Sequence, residues 1–389
     1  MADIGHNEID DVLSLMENDV KELYSVAADD LEKKVADYWR RHELKDKVKK
    51  AQLDAGEITQ EEYNRWRYGQ VMIGQRWEEQ LSVITADLVN AHNIAETIVN
   101  GYLPDVFALS ADYGAYEVDM LVRSATNGAK TLNTIRGGIS WTMYDRNTVI
   151  RLLRDRPDIL PPLHPQSRMA EQIAQGKVRK WEERQVRSQL LQGVIQGESN
   201  VEIAQRMRNI TNADMKSVMR YARTATTSAE CAGRIESYMQ AQDTGIQLEQ
   251  QWVATLDNRT RHSHRLLDGV HVPVGEYFVV NDEAMKKPVK IRYPGQFSTA
   301  NDSYKVPPDM IWNCRCTIVA MLTGIPELEA DNDISNLTLR DTTYLETSYE
   351  EWKKGHPQCH SILKAQRIGA ANRAMAIKEY REAARRLGV

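Results

Sequence analysis

Two short stretches concentrate the residue types that carry chemistry. WNCRC (Trp312 to Cys316) sets two thiols one residue apart in a chain with four cysteines. DNRTRHSHRLLDG (Asp257 to Gly269) packs two histidines, two carboxylates and three arginines into one turn-rich segment. His264, Cys314 and Cys316 are zinc-type donors, and His262, His271, Asp257, Cys359 or His360 could supply the fourth ligand that zinc requires. Against a metal stands the spacing, because structural zinc knuckles usually read Cys-x2-Cys and free cysteines otherwise pack as small hydrophobes. A hydrolase centred on Asp257, His264, Cys314 and Cys316, a nuclease or peptidase, lacks a nucleophile with an adjacent base in sequence. The packed-core reading therefore leads: Asp257 paired with Arg259 or Arg261 in a partly buried turn, and Asn313 satisfying turn backbone.

The elements that would position these residues follow from periodicity. Val20, Leu23, Ala27, Leu31, Val35 and Trp39 recur at spacings of three and four, which predicts a long amphipathic helix. Gly56 ends a helix, and Thr59 with Glu62 has the spacing of a capping box that starts the next. Apolar periodicity from Glu61 to about Asn100 predicts a further long helix, with GYLPDVFAL (Gly101 to Leu109) breaking the run. RPDILPPLHPQS is a linker by its proline content. In the segment Gln189 to Ile210, a glycine-rich turn with Asn200 as cap separates two helical stripes. With Arg184, Arg187, Arg206 and Arg208 it is a candidate DNA-binding pair, though helix pairs of this kind are common without DNA. QLEQQWVAT, the two short runs of HVPVGEYFVV about Gly275, and CTIVAMLTG read as strands. A last helical run spans Ser361 to Leu387.

The expected fold is thus mainly α with a small α+β C-terminal domain, a long helical arm or hairpin followed by short antiparallel strands. The expected division is residues 1–156 as a helical arm domain, 157–167 as a proline-rich linker, and 168–245 as a helical segment leading into the next domain. Residues 246–325 form the α+β core of that domain, and 326–389 a C-terminal extension with a terminal helix. A chain of 389 residues, 42% hydrophobic and 27% charged, has the profile of a soluble folded protein. Its N-terminus MADIGHNEIDD lacks the basic and apolar regions of a signal peptide, so synthesis in the cytoplasm is expected. The formal net charge of −5 confines any nucleic-acid contact to a local patch.

The same residues carry a family resemblance. RTATTSAECAGRIESY (with Arg223, Thr224 and Arg234), then Trp252, Asp257, Arg259, Arg261, His264, Leu267, Asp268 and Gly269, then Pro294 and Gly295 of YPG, then Asn313, Cys314, Arg315 and Cys316, follow one another in a specific order. This pattern, over roughly Met219 to Thr323, resembles the C-terminal domain of phage head morphogenesis proteins, minor capsid proteins similar to the F protein of phage Mu. The resemblance implies a non-enzymatic virion component near the portal vertex of a tailed bacteriophage, acting in procapsid assembly, DNA packaging or ejection. Its implied partners are the portal protein and the major capsid or scaffolding protein, with contact to packaged DNA and none to membrane. No cofactor is implied, and zinc rests on His264, Cys314 and Cys316 alone.

Overall fold

A computed structural model describes residues 4–40, 43–71, 75–135, 144, 146–155, 177–196, 198–281, 288–297, 306–325, 337–339 and 347–388. The proline-rich stretch at 157–167 lies outside the described residues, as does most of 326–346 at the start of the C-terminal extension. The chain divides into two compact units, one of residues 1–16, 100–168 and 220–369 and the other of 17–99, 169–219 and 370–389. The expected domains are linear in sequence, whereas each unit gathers three separated stretches, because long helices contribute residues to both.

The second unit is helical. It contains much of α1 (Ile4–Arg40) and the first half of α4 (Gln75–Ala125), with α2 (Glu43–Asp54) and α3 (Gln60–Val71) between them. It continues with α7 (Lys177–Ile195), α8 (Asn200–Gln205) and the start of α9 (Met207–Gln242). The stripe Val20, Leu23, Ala27, Leu31, Val35 and Trp39 is buried throughout, as the spacing predicts. Leu31, Val35 and Trp39 pack with Trp77, Leu81, Ile84 and Leu88 of α4, Val186, Leu190 and Val194 of α7, and Ile203 and Met207. Gly56 takes φ +71° at the end of α2, and the Thr59–Glu62 capping box forms, with the Thr59 N–H donating to Glu62 at 2.8 Å. The cap of α8 is Ser199, not Asn200: Glu202 N–H donates to Ser199 Oγ at 3.2 Å while the Glu202 carboxylate accepts the Ser199 N–H at 2.7 Å. Glutamate three residues after serine decides the cap, which places Asn200 inside the helix.

The first unit carries the β structure. It begins with the start of α1 and the second half of α4, with α5 (Leu132–Ile135) and α6 (Arg146–Asp155), then takes in most of α9. β1 (Gln247–Val253), α10 (His262–Leu267), β2 (His271–Pro273), β3 (Phe278–Val280), β4 (Val289–Ile291), α11 (Pro308–Ile311) and β5 (Thr317–Gly324) follow in order. After them come α12 (Tyr349–Lys354) and the start of α13 (Ile362–Gly388). β1 lies between β2 and β5, antiparallel to both, with Trp252 opposite Ile318, and β3 pairs with β4. The three expected strand regions are found; β4, three residues long, is too short to show a period.

GYLPDVFAL does not break the helix. Pro104 sits inside α4, which runs through it. A proline in a helix interior costs about 3 kcal/mol, yet Tyr102, Leu103, Val106, Phe107, Ala108 and Leu109 are all buried, and their packing outweighs that cost. Arg146 adds a hydrogen bond of 2.7 Å to the carbonyl of Gly101, in the turn before the proline.

Charge is buried beside the sheet. Glu230 on α9 accepts hydrogen bonds from Thr317 at 2.8 Å, from Arg234 at 3.3 Å and from His6 Nδ1 at 3.1 Å. The Glu230 carboxylate raises the His6 pKa from 6.5 to about 9, burial and Arg234 opposing and Asp10 adding to the shift. A raised folded-state value means that the charged pair stabilises fully below pH 6.5 and that its contribution disappears as pH rises through about 9. His6→Gln is expected to unfold more easily than wild type by about 2 kcal/mol near neutral pH, with the difference closing above about pH 9. Thermal midpoints of both proteins across that range test this; a difference independent of pH would refute it.

Candidate functional site

Trp252 is the anchor of the site. Its indole, fully buried on β1, meets the ring of His264 edge-on at 5.7 Å and that of Phe278 at 5.3 Å. The chain leaves β1, turns through DNRTR into α10, and returns to β1 at Asp268 and Gly269. Asp268 Oδ1 accepts the Ala254 N–H at 2.8 Å, and the Gly269 N–H donates to the Trp252 carbonyl at 2.9 Å. Gly269 has φ +78°, a conformation that favours glycine, so the Asp-Gly pair closes the loop.

Asp257 pairs with neither Arg259 nor Arg261 through their guanidiniums. Its carboxylate takes both terminal nitrogens of Arg315, at 2.7 and 2.8 Å, and the backbone N–H of Arg259 at 2.8 Å. The Arg315 guanidinium, with the Arg259 N–H, holds the carboxyl well below the usual carboxylate range. The pair is half-exposed rather than buried, so salt screens it and the large cost of stranding a buried charge does not apply. Arg261 instead donates to the Trp312 carbonyl at 2.8 Å, and Arg265 to the Asp257 carbonyl at 2.8 Å. Three arginines of similar reach cannot be assigned to partners from spacing alone, since the choice depends on where WNCRC crosses the turn.

WNCRC is itself a bent segment. Asn313 has φ +55°, its side chain is exposed, and its backbone N–H donates to Thr224 Oγ1 at 3.1 Å. Asparagine serves here because it tolerates the left-handed region, not by capping turn backbone with its side chain. The bend turns Cys314 and Cys316 inward, 3% and 2% exposed, with His264 at 2%. His264 Nδ1 lies 3.3 Å from Cys316 Sγ and 3.5 Å from Cys314 Sγ, and the three donor atoms all fall within 4.8 Å of one another. A hydrogen bond from the Cys314 thiol brings the Cys316 pKa down to about 5, against burial and aided by His264. Burial, with Cys316 adding to it, pushes the Cys314 thiol up.

The other fourth-ligand candidates stand apart from this group. His262 is exposed, His271 bonds Glu249, and Asp257 is engaged by Arg315. His360 is buried against Asp105 at 2.9 Å and, through its backbone N–H, Asp112 at 2.5 Å, with Cys359 beside it in sequence.

The most connected element is one that spacing rules rarely flag. Thr224, Thr227, Cys231, Arg234 and Tyr238 recur at intervals of three and four on α9 and are all buried. Thr224 receives Asn313, Thr227 donates to the Cys314 carbonyl at 2.9 Å, Arg234 donates to the Ile318 carbonyl at 3.0 Å, and Tyr238 donates to Glu117 at 2.5 Å. YPG seats on the same helix: Gly295 has φ +75°, and a Cβ there would lie 3.0 Å from both Thr224 O and Ser228 N. Thr227, Glu230 and Tyr238 are absent from the expected site residues. Their signal is a buried-type heptad spacing filled with polar side chains. Arg223, expected in the site, is exposed on α9, and Arg259 is exposed in the turn.

In the second unit the candidate DNA-binding arginines are taken up by partners within the chain. Arg187 bonds Glu78 at 2.8 Å, Arg206 bonds Glu198, and Arg208 bonds Asp29 at 2.7 Å and Glu32 at 2.8 Å, while Arg184 bonds the Lys180 carbonyl. For the first three the charge is compensated by carboxylates, which leaves little free cation for phosphate. A second cluster of donor side chains, His92, Glu182 and Asp214, is also buried there. Its histidine has both nitrogens on carboxylates, Nδ1 on Asp214 at 2.7 Å and Nε2 on Glu96 at 3.2 Å. Burial opposes the charged form, but those two partners raise the His92 pKa to about 10.

Taken together, the buried motif residues tie a turn, a sheet and a helix into one module. Residues 184–319 match the family described as Phage Mu protein F like protein, so the resemblance read from the motifs holds over that segment. The chain is 30% identical over 166 residues to the Minor head protein GP7 of Bacillus phage SPP1, covering 42% of this chain and 48% of that protein. It is also 31% identical over 168 residues to the NAD(+)–arginine ADP-ribosyltransferase EFV of Enterococcus faecalis, covering 43% of this chain and 30% of that one. The matched region thus spans less than half the length of either relative. No solved structure matches the chain. Among the described residues, no helix is long and apolar enough to cross a membrane.

Proposed function

We propose that this protein is a minor head component of a tailed bacteriophage, incorporated in few copies near the portal vertex and acting in procapsid assembly, DNA packaging or ejection. The carrying observation is the family match over residues 184–319, supported by the likeness to the SPP1 minor head protein. The role is structural: His264, Cys314 and Cys316 are sealed from solvent, and the contacts of Thr227 with Cys314 and of Arg261 with Trp312 fasten one element to another. ADP-ribosyl transfer is the named activity of the Enterococcus relative, of which 30% is covered, and it is not carried over to this chain.

The test uses the intact chain, since α1, α4, α9 and α13 contribute to both units and deletion of residues 1–156 would cut through each. Co-expressed with its portal protein, the full-length chain is expected to co-sediment with the portal oligomer and to be present in purified particles. Particles that lack it and remain infectious would remove the proposal. Incubated with labelled NAD(+) and arginine-rich protein, it should transfer no label; transfer above background would restore the enzymatic reading.

A further inference from the structure

We propose that His264 Nδ1, Cys314 Sγ and Cys316 Sγ bind a structural zinc ion that locks the WNCRC bend to α10. Ligand distances of about 2.3 Å to sulfur and about 2.0 Å to nitrogen put N and S about 3.5 Å apart around a tetrahedral zinc. The two N to S separations here, 3.3 and 3.5 Å, are those of such an edge. One nitrogen faces two sulfurs at once, as a shared metal ion would require. Among the described residues His264 Nε2 is buried with no hydrogen-bond partner, at a cost of about 1 to 3 kcal/mol. Zinc binding on the opposite nitrogen supplies a gain that offsets it.

The awkward Cys-x-Cys spacing is resolved by the backbone. Asn313 in the left-handed region starts a bend in which Cys314 and Cys316 both face inward while Arg315, between them, points out to Asp257. Cys231, fully buried on α9, lies outside the group of three donors that fall within 4.8 Å of one another. The burial of all donors makes the site closed, as structural zinc sites are, and no substrate reaches it. The His92, Glu182 and Asp214 cluster differs in the property that matters, since both imidazole nitrogens are already engaged by carboxylates. The inference stands apart from the virion role and is tested without reference to it.

Full-length protein produced with added zinc and purified without chelator is expected to hold about one zinc per chain by elemental mass spectrometry. Its cobalt-substituted form should show a thiolate-to-metal charge-transfer band. The double variant Cys314→Ser/Cys316→Ser should lose both signals, and His92→Gln should keep its zinc. If the double variant does not fold, the wild type answers the same question: a chelator should lower its thermal midpoint, and zinc should restore it. Wild-type protein with under about a tenth of an equivalent of zinc and a midpoint indifferent to chelator would overturn the proposal, as would metal lost in His92→Gln but retained by the double variant.

Discussion

Arg234→Met is expected to destabilise the first unit by about 3 to 5 kcal/mol, enough to unfold much of the population at 37 °C. Arg234 is fully buried, its guanidinium 3.3 Å from Glu230, 3.7 Å from Glu117, 3.0 Å from the Ile318 carbonyl and 4.8 Å from the centre of the Tyr113 ring. Methionine fills much of the same volume and so isolates the loss of charge from the loss of bulk. Removing the cation takes the shared guanidinium from two buried carboxylates, Glu117 and Glu230, with the part-buried His6 still beside Glu230. Glu230 retains Thr317 and His6, which are neutral or only partly buried partners and cannot replace a guanidinium. Urea titration followed by tryptophan fluorescence measures the loss. A shift of less than about 1 kcal/mol would mean that the carboxylates accommodate protons easily and that the arginine is dispensable.

Gly233→Ala should show the second largest effect, and in the direction opposite to helix propensity. Alanine in a helix interior ordinarily gains about 1 kcal/mol over glycine. At Gly233, however, a Cβ would stand 2.4 Å from the Phe107 carbonyl oxygen and 3.1 Å from the Ala111 nitrogen. Both are backbone atoms of α4, so no side chain can swing aside and the two helices must separate along their contact. That strain exceeds the propensity gain, and a net loss of about 2 kcal/mol or more is expected. Gly69→Ala is the matched control. Gly69 lies in α3 with nothing within 4 Å of the place a methyl would take, so the same substitution should stabilise by about 0.5 to 1 kcal/mol. Opposite signs at the two glycines separate backbone contact from intrinsic preference, and equal signs would show that α4 and α9 give way.

Much of the fold can be read from local pattern because the deciding interactions are local. The α1 stripe, the Thr59–Glu62 cap and the strand at QLEQQWV each depend on residues within one or two turns of each other, and each is found where spacing puts it. Pro104 misleads for the converse reason: the penalty is local, while the burial that overrides it comes from segments far along the chain. The site divides the same way. His264, Cys314 and Cys316 stand out by residue type, and the structure brings them together. Spacing matches Asp257 to the nearest arginines in sequence, whereas its partner, Arg315, is 58 residues away. Polar residues on α9 carry only their 3-4 spacing as a signal in the sequence, and the strands and loops that they hold lie far along the chain.

The 3-4 spacing of Thr224, Thr227, Cys231, Arg234 and Tyr238 has a consequence for how such a chain can diverge. Each residue added to a helix turns everything beyond it by about 100°. One insertion between Thr227 and Arg234 would therefore put Arg234 and Tyr238 out of phase with Thr224 and Thr227, and the bend, the sheet and α4 could no longer be gripped together. The helix thus works as the ruler of the module, fixing where each motif docks.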